Sequence, residues 1–146
     1  MIIRRAALSD VAAIRACVEA SLEATYGGLW TSEPLRAGDD DWALAWVALA
    51  EGVIIGVGLA QEDVVSDLWV HSLAQGRGAG SALLTELERE IAARGHGLAR
   101  LRCLEPNLKS RRFYGARGWK EVRIYPHETI PLNTVDMVKA VGARLG

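Results

Sequence analysis

Apolar and polar positions along the chain change their spacing several times, and each change marks an element. Met1-Ile2-Ile3-Arg4-Arg5 runs straight into a short strand. Val11, Ile14, Val18 and Leu22 then recur at helical spacing behind Ser9, which is a good N-cap residue. Two breakers in Tyr26-Gly27-Gly28 predict that this helix ends before them. Ser32-Glu33-Pro34-Leu35 suggests a second, short helix. The runs Trp42–Ala50 and Val53–Ala60 flank Glu51-Gly52, a pair suited to a two-residue hairpin turn. The alanines of the first run would also suit a helix, but its short length between Asp and Gly favours a strand. A third apolar run, Val64–Val70, leads into Gln75-Gly76-Arg77-Gly78-Ala79-Gly80-Ser81. Behind that loop, Leu83, Leu84, Leu87 and Ile91 share one face of a helix predicted from about Gly78 to Arg94, with Gly95 at the C′ position. Leu98–Leu104 alternates as a strand, Asn107–Ala116 is helical, and Trp119–Tyr125 with Asn133–Ala140 forms an antiparallel pair. The order β-α-α-β-β-β-α-β-α-β-β predicts an α/β fold on a mixed, twisted sheet.

Composition narrows the class. Half of the 146 residues are hydrophobic, enough for one globular domain over residues 1–146 with a proper core. Seventeen basic and eighteen acidic residues leave a net charge of −1, so no nucleic-acid partner is expected. The N-terminus has no long apolar segment of the secretory kind, and the longest apolar stretch is too short to span a membrane. Cys17 and Cys103 have neither metal nor redox spacing and read as reduced thiols, so a cytoplasmic protein with no bound metal is expected.

The glycine loop carries the chemistry. Glycines between a strand and a helix let backbone approach a ligand, and the helix start favours negative charge. Together these features suit a pyrophosphate, where a plain connecting turn is the simpler alternative. A P-loop needs Gly-Lys-Ser/Thr after its second glycine, and no such triplet follows Gly80. A dinucleotide fingerprint needs a third Gly or Ala, but Ser81 or Leu83 stands there, depending on the starting glycine.

The segment resembles the acetyl-CoA motif of the GCN5-related N-acetyltransferases (GNAT), Gln/Arg-x-x-Gly-x-Gly/Ala, which Gln75 to Gly80 match at every fixed position. Leu68-Trp69-Val70-His71 is similar to the strand that precedes it, and Asn107 through Trp119, with Phe113-Tyr114 and Gly118-Trp119, is similar to the family's second signature. The resemblance is firm from about Val53 to Trp119. It implies a single-domain GNAT fold of about seven strands and about four helices, with acetyl-CoA held where the fourth and fifth strands splay apart.

That resemblance also implies roles. Leu68, Val70, Gln75, Gly76, Arg77, Gly78, Ala79, Gly80, Ser81, Asn107 and Tyr114 are expected at the cofactor. Backbone around Val70 and His71 would meet the thioester carbonyl, and one such donor can contribute roughly 3 kcal/mol to an oxyanion; ordinary ladder pairing is the alternative. Tyr114 sits at the family's spacing from Asn107 for the general acid. A phenol's ordinary pKa, about 10, lies above a thiol's, about 8.5, so it can protonate a thiolate without being spent at neutral pH. Phe113 reads as a core aromatic, and Asn107 as helix cap or cofactor contact. Lys109, Arg111 and Arg112 ring the cofactor phosphates or form a solvated face. Asp67, a charge within an apolar strand, is a candidate base beside Glu105, His71 and His127, and a water chain without one dedicated base stays equally open.

The function expected is transfer of acetyl from acetyl-CoA to a primary amine by direct attack, the acceptor being a small molecule or a protein N-terminus. A non-catalytic CoA-binding module on the same fold is the alternative, and a homodimer is open to either. The acceptor is expected at Tyr26-Gly27-Gly28-Leu29-Trp30 and Tyr125-Pro126-His127-Glu128-Thr129, with Tyr26, Trp30 and His127 in contact. Asp39-Asp40-Asp41, Glu33 and Glu128 would favour a cationic amine, unless the aspartates are a solvated loop.

Overall fold

A computed structural model describes residues 1–142. Its strands are β1 (Ile2–Arg5), β2 (Trp46–Ala50), β3 (Val53–Gln61), β4 (Val64–Val70), β5 (Leu98–Leu104), β6 (Lys120–Pro126) and β7 (Asn133–Ala140). They form one seven-stranded sheet in the order β1-β2-β3-β4-β5-β7-β6. The α-helices among the described residues are α1 (Val11–Tyr26), α2 (Ala79–Ala93) and α3 (Leu108–Gly115). None is long and apolar enough to cross a membrane. The chain divides into two compact units, one of Met1–Ala60 with Asp67–Leu87, the other of Gln61–Ser66 with the chain from Glu88 onward.

In the first unit, β1, β2 and β3 form an antiparallel meander, with Val47 opposite Val57 and Ala48 opposite Gly56. The expected hairpin turn is present: Glu51 and Gly52 have φ of 52° and 78°, the paired positive values that match strand twist. Successive strand residues face opposite ways, which gives the sheet two packed faces. On one, Val47, Val57 and Leu59 meet Ile14, Cys17 and Val18 of α1. On the other, Ala48 packs with Ala79 and Leu83 of α2. Gly56 and Gly58 make the second contact close, because a Cβ on either would come within 3.0 Å of Leu83 or Leu87.

In the second unit, β7 lies between β5 and β6 and is antiparallel to both, with Leu101 opposite Met137 and Glu121 also opposite Met137. Ala99, Leu101, Val135 and Met137 are buried. β4 joins β5 in parallel through Val64 and Arg100, near the start of each strand. Asp63 secures that end, accepting from Arg100 Nε and Nη2 at 2.9 Å each, and the guanidinium holds its carboxyl below the usual carboxylate range.

Three expectations are corrected. The short helix at Ser32–Leu35 is absent, so three α-helices stand among the described residues where about four were expected. Pro34 has no N–H, and its neighbours give theirs to side chains: Glu33 to Thr31, Leu35 to Glu23 and Ala37 to Glu19. The strand expected from Trp42 starts only at Trp46, because Trp42–Leu44 forms a 3₁₀ turn closed by Ala45 N–H on Trp42 O. Asp10, not Ser9, stands at the N-cap of α1; its carboxylate accepts from Ala7 N–H at 2.7 Å and is held by Arg4.

Candidate active site

The glycine loop is built from the end of β4. His71 donates its N–H to Ile55 O at 2.8 Å, so pairing with β3 continues one residue past β4. The His71 ring then folds back, with Nδ1 accepting from Leu73 N–H at 3.2 Å, and starts the 3₁₀ turn Ser72–Ala74. Gln75 is extended, and its Nε2 donates to Val70 O at 3.4 Å, tying the loop to the strand end. Gly76 and Gly78 have φ of +84° and +82°, in the region that disfavours side chains, and no atom lies within 4 Å of where a Cβ would stand. The backbone there is bare toward open space. Ala79, 1% exposed, fixes the start of α2 in the core, and Ala82 N–H closes the first turn on Gly78 O at 3.0 Å. The N–H groups ahead of it have no carbonyl of their own helix to meet. Leu68 and Val70 are half-buried against the cluster that holds Ala74, Ala79 and Leu83. Arg77 is exposed and Ser81 half-buried.

Asp67 has a local partner. Its Oδ1 accepts from the Trp69 indole at 3.2 Å, two residues along the same face of β4. Trp69 itself packs against the α1 cluster.

The second signature lies in the other unit. Asn107 caps α3, its side-chain oxygen accepting from Ser110 N–H at 3.1 Å. Tyr114 is 8% exposed, with its ring edge-on to Phe113 at 5.3 Å and to Trp119 at 6.0 Å. Its carbonyl accepts from both Arg117 and Trp119 N–H, which shapes the turn after the helix. Arg111 is committed elsewhere, to both oxygens of Glu121 at 2.8 Å and to Glu105 O. That pairing holds the Glu121 carboxyl below its ordinary value, while Lys109 and Arg112 are exposed. Burial pushes the Cys103 thiol up to about 11. Glu105 accepts from Asn133 Nδ2 at 3.1 Å.

Of the residues expected at the acceptor, Tyr26 and Trp30 are ring neighbours, with centroids 5.8 Å apart and planes tilted by 47°. His127 is folded into its own loop, Nδ1 accepting from Thr129 and Ile130 N–H at 3.0 and 3.3 Å. In the aspartate run, Asp40 and Asp41 serve the turn before β2 through their carbonyls, and Asp39 is exposed. A ladder on α1 was not read from the sequence. Arg15, Glu19 and Glu23 stand four residues apart and take Ala37 O, Ala37 N–H and Leu35 N–H, with Arg15 also reaching Gly38 O. The spacing of three long charged residues on one helix face was the available signal. No group of acidic, His and Cys residues suited to a metal is present among the described residues.

A bare glycine turn between a strand and a helix head, on a mixed seven-stranded sheet, is an acyl-CoA N-acyltransferase arrangement. The chain belongs to the acetyltransferase (GNAT) family, whose model matches residues 15–119. No curated protein sequence matches the chain. Among solved structures it is similar to a GCN5-related N-acetyltransferase of Rhodopseudomonas palustris (24% identity, 95% of this chain and 94% of that one, TM-score 0.78). It is similar also to yncA of Salmonella typhimurium, a putative acetyltransferase solved with its cofactor acetyl-CoA (20%, 100% and 96%, 0.78). A third is the ribosomal-protein-alanine N-acetyltransferase of Brucella melitensis (22%, 96% and 99%, 0.74).

Proposed function

We propose that this protein is an acetyl-CoA-dependent N-acetyltransferase that acts on a primary amine, a small molecule or a protein N-terminus. The observation that carries the reading is the pair of left-handed glycines, Gly76 and Gly78, with open space over both and α2 beginning directly behind them. A pyrophosphate suits that surface, because bare backbone and a helix start both favour an anion. Gln75 to Ser81 would hold it, with Leu68, Val70 and Asn107 beside the rest of the cofactor. When bound, acetyl-CoA supplies the activated acetyl thioester.

The remaining roles belong to side chains. Tyr114 is assigned to protonate the departing thiolate, and its buried aromatic cluster would fix the phenol's direction. Asp67 is assigned to draw the proton from the acceptor amine, held in one rotamer by Trp69. Tyr26 and Trp30 would offer neighbouring aromatic faces to the acceptor, and His127 is assigned to it as well.

The test is thiol release from acetyl-CoA across an amine panel, for the parent chain, Tyr114→Phe and Asp67→Asn. Tyr114→Phe removes one hydroxyl from a packed ring, so melting temperature and acetyl-CoA affinity should hold while kcat falls about ten- to ten-thousandfold. Asp67→Asn should remove the acidic limb of the pH–rate profile. Acetyl-CoA binding with no thiol release on any amine would make the chain a binding module instead.

A further inference from the structure

The aromatic cluster around Tyr114 ends on a charged pair. Tyr114 lies in the last turn of α3, where Phe113 and Trp119 both meet its ring edge-on. Phe113 rides on the same helix, whereas Trp119 stands beyond the turn, just ahead of β6. Trp119 is 3% exposed, and its indole carries a single polar atom, Nε1. Glu88 of α2 answers that atom, Oε2 accepting from Nε1 at 3.1 Å. Its other oxygen, Oε1, accepts from Lys139 Nζ of β7 at 2.7 Å.

Each link removes a freedom from the next. With an oxygen given to each partner, the Glu88 carboxylate is held against rotation. A buried indole whose N–H is bonded keeps its ring plane, because turning would cost both the packing and the hydrogen bond. Tyr114 is held at its backbone too, since its carbonyl accepts from Trp119 N–H at 3.1 Å. The phenol is thereby tied, through Trp119 and Glu88, to α2 and β7. That matters for an acid, because a displacement of about 1 Å at a reacting group can cost about a hundredfold in rate.

We propose that Glu88 is a positioning residue for acetyl transfer. Through the Trp119 indole it fixes the direction of the Tyr114 phenol, whose O–H bond breaks as the S–H bond of the departing thiol forms. This rests on the assignment of Tyr114 as the acid; Glu88 acts through Trp119 and takes no part in the proton transfer.

The geometry is tested first without cofactor. In protein labelled at the Cζ carbon of its three tyrosines, the signal missing from Tyr114→Phe is that of Tyr114. Glu88→Ala should shift or broaden it and leave Tyr26 and Tyr125 in place, while Glu88→Gln, which keeps an oxygen for the indole, should move it less. Thiol release is then measured below the melting temperature, with acetyl-CoA and the most active amine of the panel. Glu88→Ala should lower kcat about ten- to a hundredfold with little change in KM for acetyl-CoA, and Glu88→Gln should recover most of the loss. In a Tyr114→Phe background Glu88→Ala should cost nothing further, because no hydroxyl is left to aim. Should Glu88→Ala fail to fold, Trp119→Phe breaks the same link from its other end, and the same cycle with Tyr114→Phe decides. An unmoved Tyr114 signal, or an equal fall in kcat in both backgrounds, overturns the proposal and leaves Glu88 a tie of stability alone. Parental kcat in Tyr114→Phe removes the acid assignment and this proposal with it. A parent that releases no thiol with any amine removes the transferase reading as well.

Discussion

Trp119 and Lys139 are held by the same carboxylate: the Trp119 indole donates to one oxygen of Glu88 at 3.1 Å, and the Lys139 ammonium to the other at 2.7 Å. Glu88 thereby joins α2 to the turn before β6 and to β7. Glu88→Ala should orphan an indole that is 3% exposed, at a cost of about 1–3 kcal/mol. For a chain of this size that is a fall of about 2–10 °C in melting temperature. Glu88→Gln, which keeps an acceptor for Trp119, should lie between Ala and the parent. An unchanged melting temperature in Glu88→Ala would show that the link carries no stability.

Gly78 allows two effects to be separated. Its φ of +82° makes any side chain strained, while nothing nearby obstructs a Cβ. Gly78→Ala should therefore cost about 1 kcal/mol in backbone strain alone. Acetyl-CoA at a hundred times its Kd should add about 2.7 kcal/mol to the parent by mass action, and Gly78→Ala should lose part of this, because its methyl stands in the space left open over the backbone. Gly78→Glu should show the same strain and lose the ligand-induced gain, because its charge opposes the pyrophosphate. Failure of acetyl-CoA to raise the parent's melting temperature would remove the anion site.

The ladder on α1 should be visible in hydrogen exchange. Glu19 accepts from Ala37 N–H at 3.0 Å and Glu23 from Leu35 N–H, so both amides should exchange slowly in the parent. Glu19→Ala should speed exchange at Ala37 about five- to a hundredfold, the loss of about 1–3 kcal/mol of local protection, with little change at Ile14 or Val18. Rapid exchange at Leu35 and Ala37 already in the parent would contradict the ladder.

Cys103 predicts a pH dependence. Burial pushes its thiol up to about 11, so it remains protonated well above neutrality. Alkylation by iodoacetamide at pH 8, followed by peptide mass, should be much slower for native Cys103 than after unfolding, and should rise as pH approaches 11. With a raised folded-state value, the contribution to stability is fully present below the unfolded thiol's range. It is lost as pH climbs through the folded one. Equal alkylation of native and unfolded chain at pH 8 would count against the burial.

Much of the architecture was legible because it is written in local spacing. The Glu51-Gly52 turn, the Asn107 cap and the Leu83, Leu84, Leu87, Ile91 face each depend on residues a few positions apart. The loop before β2 was not legible, because its N–H groups are met by α1 carboxylates twelve and eighteen positions away and its Gly38 carbonyl by Arg15 twenty-three positions away. A Ser-Glu-Pro start resembles a helix only while those distant carboxylates are unknown. Asp67 looked out of place in an apolar strand, although its Trp69 partner was two residues away at strand period. The hydrogen bond from Asn133 to Glu105 spans twenty-eight positions, and no local pattern announces it.

The position of β7 sets an order on how the chain can be made. Among the described residues β6 has β7 as its only neighbour in the sheet, yet β7 leaves the ribosome after it. Until then β5 and β6 are two ribbons with no common partner, and Glu88 has no Lys139 to hold. The β1–β3 meander, closed by a two-residue turn, can form during synthesis, while the second unit must wait and then close over long sequence distances. A stop codon or ribosomal stall ahead of Asn133 would therefore leave a nascent chain with its first unit able to fold and bare strand edges in the second, a substrate for chaperones or proteases.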